Sequence, residues 1–265
     1  MRKRYKKQYK VRRKGGIFRS KFFWFCFLAL IFFGTGVDVF FFSSIFQVGN
    51  IKIEGNQKVS LEEIENIISK NTDKKFVFME TKSIFLTELS EMSEEILREI
   101  PKIAKINLTR DFPNTIFAQV VERIPIAIFC DLKKCFFIDN GGVAFEEARE
   151  VASDMLKIIK ADFSGEMKLG EAPIKKEQIA DIFEIFSKLK NLKLSAGEFL
   201  IKSDARFNIK ISEGWEIFLN PQKDIDKQLK NLGIILKEKL PIERRKNLQY
   251  IDLRFDRIYI YPEGL

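Results

Sequence analysis

The sequence predicts an α+β chain held at a membrane by one N-terminal helix, and three observations carry that prediction. An unbroken, mostly apolar stretch of 21 residues, "FFWFCFLALIFFGTGVDVFFF", runs from Phe22 to Phe42 directly behind a strongly basic start. Beyond it, apolar residues recur at period two in short runs and at helical period in longer ones. The charge is also unevenly spread. Residues 1–21 carry eleven Lys or Arg and no acid, and the remaining 244 hold 35 bases against 37 acids, so the formal +9 belongs to a tail and not to a surface.

Such a tail suits either a nucleic-acid arm, through release of counterions from phosphates, or the cytoplasmic flank of a membrane span. The apolar stretch behind it favours the flank, and no nucleic-acid partner is expected. At about 1.5 Å per residue it reaches about 31 Å, close to the hydrocarbon thickness of a bilayer. A cleaved leader is the competing reading, with Phe22–Phe33 as its apolar core and Gly34-Thr35-Gly36 as a small-x-small cutting site. Against cleavage, the basic region is long and apolar residues resume at Val39. Asp38 is an intramembrane carboxylate and so a functional candidate, but it also lies about one turn from the outer end, where it can reach headgroups.

Histidine is absent from the whole chain. That removes the usual neutral-pH general base, the Ser-His and Cys-His couples and most transition-metal sites. No cofactor or metal is expected. With the basic end inside, everything after Phe46 lies outside the cytoplasm, where disulfides persist. Cys26 falls within the span, which leaves Cys130 and Cys135 around the polar turn Asp131-Leu132-Lys133-Lys134. A hairpin disulfide and two free thiols are the readings that stand, since zinc would need two further ligands.

The elements follow in order. "GNIKIEGN" alternates Ile51 and Ile53 with polar residues and reads as a strand. "SLEEIENIISK" places Leu61, Ile64, Ile67 and Ile68 on one helical face, opening with Ser60 and Glu63 at capping-box spacing. A second helix is expected from about Ser83 to Glu99, ahead of Pro101. "IAKINLTR" and "TIFAQVVER" read as strands joined by the Asp111–Asn114 turn. Three short strands come next, "IPIAIFC", "CFFID" and "VAFEE", then a weakly patterned connection up to Pro173 and a helix bearing Ile179, Ile182, Phe183, Phe186 and Leu189. "RFNIKI" and "WEIFLN" are strands. A helix with Ile225, Leu229, Leu232, Leu236 and Leu240 on one stripe precedes a closing strand within "LQYIDLRFDRIYIYP".

That closing strand carries the candidate binding residues. Asp252 and Arg254 alternate with Ile251, Leu253 and Phe255, so they face away from the core, either as an ordinary solvated face or as a docking surface. A last strand at a sheet edge offers unpaired N–H and C=O groups to a partner strand. Tyr250, Arg254, Arg257, Tyr259 and Tyr261 are residue types that carry interface energy. Glu122-Arg123 is read as a salt bridge at the junction of two domains, with catalysis as the lesser reading because no nucleophile or base accompanies it.

In this order and spacing, "RDFPNTIFAQVVERIPIAIF", "FFIDNGGVAF" and "GWEIFLN…QLKNLGIIL…YIDLRFDRIYI" resemble the FtsQ/DivIB family of bitopic bacterial division proteins. The first is similar to that family's R-x-x-P…V-x-E-R-x-P-x-A junction. The resemblance implies a basic cytoplasmic tail (1–21), a transmembrane helix with its outer flank (22–46), a POTRA domain of βααββ order (47–123) and a mixed α/β C-terminal β domain (124–265). It also implies a non-enzymatic scaffold at the septum of the cytoplasmic membrane, holding an FtsB/DivIC-like and FtsL-like coiled-coil pair through the last strand. Three features depart from the pattern: Asn220-Pro221 where a glycine is usual, a long second POTRA helix region, and the Cys130–Cys135 pair. Two other classes fit a membrane-anchored chain of this kind, a cell-wall enzyme with paired carboxylates and a POTRA-bearing translocation component. The first lacks a convergent acid pair in the sequence, and the second lacks room for a barrel.

Overall fold

The computed structural model describes residues 20–76, 78–131, 133–149, 155–163 and 165–262. The basic tail expected over 1–21 therefore lies, except for Ser20 and Lys21, outside the described residues. The fold is α+β. Its two compact units interleave in sequence. Residues up to 54, 61–93 and 107–119 form one, and residues 55–60, 94–106 and 120–265 form the other.

The first unit begins with α1 (Lys21–Phe42), none of whose residues is buried and which is long and apolar enough to cross a membrane. Thr35 sits in its middle at no hydrogen-bonding cost, because its hydroxyl donates to the carbonyls of Ile31 and Phe32. The helix stops where Ser43 turns extended and its N–H closes on the Asp38 carbonyl. β1 (Asn50–Glu54) runs parallel to β5 (Thr115–Glu122), with Ile51 opposite Ile116 and Ile53 opposite Ala118. With β4 (Ile103–Asp111) they make a three-stranded sheet of order β1-β5-β4. α2 (Leu61–Thr72) buries Ile64, Ile67 and Ile68, three of the four residues expected on its apolar face, and leaves Leu61 exposed.

The second helix differs from expectation. α3 spans only Leu89–Glu99, and a hairpin of β2 (Lys74–Phe76) and β3 (Met79–Thr81) precedes it. Residues 82–88 are kept out of the helix by competing hydrogen bonds. Val48 N–H donates to the Lys82 carbonyl and Ile84 N–H to that of Phe46, so this backbone pairs sideways. Arg110 then takes the Ile84 and Thr87 carbonyls at 2.8 and 2.6 Å. Helical propensity is worth tenths of a kcal/mol per residue and yields to such bonds.

The second unit is built on a nine-stranded sheet of order β14-β13-β12-β11-β10-β9-β6-β7-β8. Its strands are β6 (Ala127–Cys130), β7 (Cys135–Ile138), β8 (Ala144–Glu147), β9 (Lys157–Lys160), β10 (Ala196–Ser203), β11 (Arg206–Ile211), β12 (Glu216–Leu219), β13 (Tyr250–Asp252) and β14 (Tyr259–Tyr261). Helices α4 (Lys176–Asn191) and α5 (Ile225–Glu238) bury Ile182, Leu189, Leu232 and Leu236 in a core with Phe129, Phe199, Ile209, Trp215 and Ile251.

Two strands here were not legible beforehand. β9 lies within the weakly patterned connection, yet it is central, running parallel to both β6 and β10. β10 alternates Phe199 and Ile201 inward, but Gly197 and Lys202 blur the pattern. The closing strand is also corrected. It is two three-residue strands, β13 and β14, folded antiparallel with Tyr250 opposite Tyr261 and Asp252 opposite Tyr259.

Candidate partner-binding edge

β13 is held in the sheet by β12, which runs parallel to it with Ile217 opposite Ile251 and Phe218 opposite Asp252. Ile251 and Leu253 point into the core and are buried, as alternation predicts. The other face carries a stack of rings. Phe218 and Tyr250 lie 4.9 Å apart at 21°, and Tyr250 and Tyr261 lie 5.4 Å apart at 11°. The Arg206 guanidinium lies over Phe218 at 4.5 Å, and that of Arg254 lies 5.7 Å from Phe218 and 5.1 Å from Phe255. Arg257 lies over Tyr259 at 5.7 Å.

The residues expected at this site are thus drawn together, with one change of role. Asp252 is not on a solvated face, because it is only 6% exposed. Its carboxylate accepts from Arg254 Nε at 2.9 Å, Nη2 at 2.6 Å and the backbone N–H at 3.1 Å. Hydrogen bonding to Asp252 raises the Arg254 pKa above its ordinary value, outweighing the opposing effect of burial. Asp252 therefore orients Arg254 across the rings and is withdrawn from any partner. Tyr259 and Tyr261, each 45% exposed, together with Arg257 and Phe255, form the accessible part. Sequence reasoning missed Phe218 and Arg206. Both sit on the polar-side positions of strands that were identified, so tracing the outward face across neighbouring strands would have found them.

β14 ends the sheet, and among the described residues no strand pairs with its outer side. The opposite edge is different. Ala144 of β8 donates to the Glu171 carbonyl at 2.9 Å and accepts from Gly170 N–H at 2.7 Å, so that edge is partly covered.

Glu122 and Arg123 hold different partners, in place of the single bridge expected. The Glu122 carboxylate accepts from the N–H groups of Gln57, Lys58 and Val59, at 2.6 to 3.0 Å. Partial burial pushes its pKa up, but the hydrogen bonds from Val59, Gln57 and Lys58 and the Lys58 charge together outweigh that and hold it below its ordinary value. The loop it caps opens at Gly55, whose φ of +91° and 2.2 Å approach of a would-be Cβ to the Val120 carbonyl admit only glycine. Arg123 donates to the Pro101 carbonyl at 2.9 Å and pairs with buried Asp139. Asp139 in turn accepts from Gly141 and Val143 N–H.

Cys130 and Cys135 are register partners of β6 and β7, and their sulfurs are bonded. Asp131 organises the turn between them, accepting from the N–H groups of Lys133 and Lys134 at 2.7 Å. Burial raises its pKa, but these bonds and one from Met167 N–H bring it below its ordinary value.

Comparison with known proteins agrees with this architecture. Residues 46–123 match the family model described as "POTRA domain, FtsQ-type". The chain is 28% identical over 114 residues to the cell division protein FtsQ of Rickettsia typhi (strain ATCC VR-144 / Wilmington), a match covering 43% of this chain and 40% of that protein. It is also 28% identical over 114 residues to the cell division protein FtsQ of Rickettsia prowazekii (strain Madrid E), covering 39% of it. The match thus spans about two fifths of these relatives' length. With an apolar N-terminal helix, an FtsQ-type POTRA segment and a mixed sheet closed by a C-terminal hairpin, the chain is similar to FtsQ cell division proteins, and these matches support a place in the FtsQ/DivIB family.

Proposed function

We propose that the chain is a non-enzymatic scaffold of bacterial cell division, seated in the cytoplasmic membrane at the septum. In this reading residues 22–46 span and leave the membrane, 47–123 form the POTRA domain and 124–265 form the β domain that docks partners. The observation that carries it is the outer edge of β14, which no strand among the described residues pairs, flanked by Tyr259, Tyr261 and Arg257. An extended segment of an FtsB/DivIC-like protein, presented with its FtsL-like coiled-coil mate, adds to this edge. Main-chain hydrogen bonds supply affinity, and the outward rings supply specificity.

The test pairs partner affinity with thermal stability. Tyr259→Ala should weaken binding by at least about tenfold, the size of an interface residue worth over 1 kcal/mol, and leave Tm nearly unchanged. Leu253→Pro should abolish both, since it removes a buried apolar side chain and the N–H that bonds the Phe218 carbonyl. Full partner binding by a folded protein truncated before Arg257 would place docking elsewhere, such as the POTRA strand around Lys105–Arg110.

A further inference from the structure

The first unit exposes a large apolar surface beyond α1. Phe78 is 96% exposed, Phe112 57%, Ile45 56%, Met79 53% and Phe85 38%. Part of this surface is continuous with the helix, because Phe40 contacts Phe85 at 5.5 Å and Phe85 contacts Phe112 at 5.5 Å. A contiguous patch of this kind marks a binding surface and not scattered exposure.

We propose that the β2–β3 hairpin enters the outer face of the bilayer tip-first, giving the protein an interfacial membrane contact beside its helix. The proposal rests on reading α1 as a membrane span with its N-terminus inside. The direction of the hairpin follows from helix geometry. Side chains of an α-helix tilt toward its N-terminus and carbonyls point toward its C-terminus. The Phe41 ring therefore lies on the membrane side of its Cα, and the Phe41 carbonyl lies on the outer side. Thr81, at the hairpin base opposite Lys74, donates to that carbonyl. Phe76, near the tip opposite Met79, stacks on the ring at 4.5 Å and 13°. The hairpin thus runs from the level of the helix end toward the hydrocarbon, and Phe78 leads.

Charge follows the same axis. Phe76, Phe78 and Met79 carry none, whereas Lys74, Lys75 and Lys82 stand nearer the base beside Asp73 and Glu80, with Lys82 paired to Asp73 at 3.3 Å. An apolar aromatic end with charges at headgroup level is the pattern of an interfacial element. Continuity with α1, an apolar helix with no buried residue, selects lipid as the occupant.

The experiment uses the full chain with Cys26→Ser, one copy per bilayer disc of phosphatidylethanolamine and phosphatidylglycerol. Spin labels are placed at Phe78→Cys, at Glu62→Cys as an exposed control, and at Leu30→Cys in the span. The ratio of collisions with oxygen to collisions with a water-soluble nickel chelate should be several-fold higher at 78 than at 62, approaching that at 30. Adding Phe78→Asp should move a label at Met79→Cys toward the aqueous ratio. A label at 78 as water-accessible as that at 62, with the label at 30 in lipid, overturns the hairpin alone. An aqueous ratio at 30 overturns the span and the hairpin together. Protection at 78 seen only in discs holding two copies assigns the patch to self-association and overturns the lipid reading.

Discussion

At the scale of single residues, two of the buried or half-buried carboxylates, Asp252 and Glu122, lend themselves to direct tests. Asp252 is satisfied by Arg254, whose guanidinium also covers Phe218. Breaking a fully buried pair costs about 3 to 5 kcal/mol, and Arg254 is partly exposed, so Arg254→Ala should cost about 2 kcal/mol in a denaturant melt. Asp252→Asn on top of it should recover part of that loss, since no buried charge is then stranded. Reversing the charge at Arg254 is accordingly a stability change as well as a binding change, contrary to a solvated strand face, and Arg257 is the cleaner probe of docking. Glu122 makes a pH prediction. Its folded pKa is depressed below 4.5, so its contribution is fully present above that value and is lost as pH falls through the folded pKa. Glu122→Gln should lower Tm at pH 7, and the gap from wild type should close as pH drops below about 4.5. A gap that widens on acidification would contradict the role assigned to the three amides.

At the scale of elements, the β6–β7 hairpin is the clearest case of a short sequence organising itself. Asp131 gathers two amides of the turn while the cysteines close the strands behind it. Closing so small a loop restricts the unfolded chain by about 2 kcal/mol in the entropic account. Replacing Cys130 and Cys135 by serine should cost about that much in a two-state melt, while the hairpin persists through its ladder and Asp131. Mass measurement of the exported protein before and after reduction should show a difference of two hydrogens. Elements like this one, with strong alternation or a strong apolar stripe, were legible in the sequence, as were α2, α4 and α5. Others were decided by contacts that no local pattern records. β9 is central only because β6 and β10 flank it, and residues 82–88 leave α3 because Arg110, over twenty positions away, claims their carbonyls. The aromatic face proposed for docking was half legible for the same reason. Its own strand announced Tyr250 and Tyr259, but Phe218 and Arg206 come from neighbours in the sheet, and the reversal between β13 and β14 lacks a glycine or asparagine to signal it.

At the scale of the whole molecule, features before and after α1 bear on the proposed membrane orientation. Before it stand ten cations and no acid, and under this proposal each is attracted to an anionic cytoplasmic leaflet by about 1 kcal/mol near the surface. After it, in the second unit, comes a disulfide, which persists only on the oxidising side. Both features fit the proposed orientation, with the N-terminus inside and residues beyond Phe46 outside, and each can be tested separately. Fusing a reporter after Phe46 that works only when exported should therefore give activity. Replacing most of the cations before Lys21 with glutamine should lower that activity by weakening retention of the tail inside. The same variants should lose the Cys130–Cys135 bond in the inverted fraction, so reporter signal and oxidised fraction should fall together. If reporter activity fell while the cysteines stayed fully oxidised, the charge would not be what orients the chain. A mature N-terminus near Val37 would show instead that the apolar stretch is removed, and the membrane hold would have to come from elsewhere in the protein.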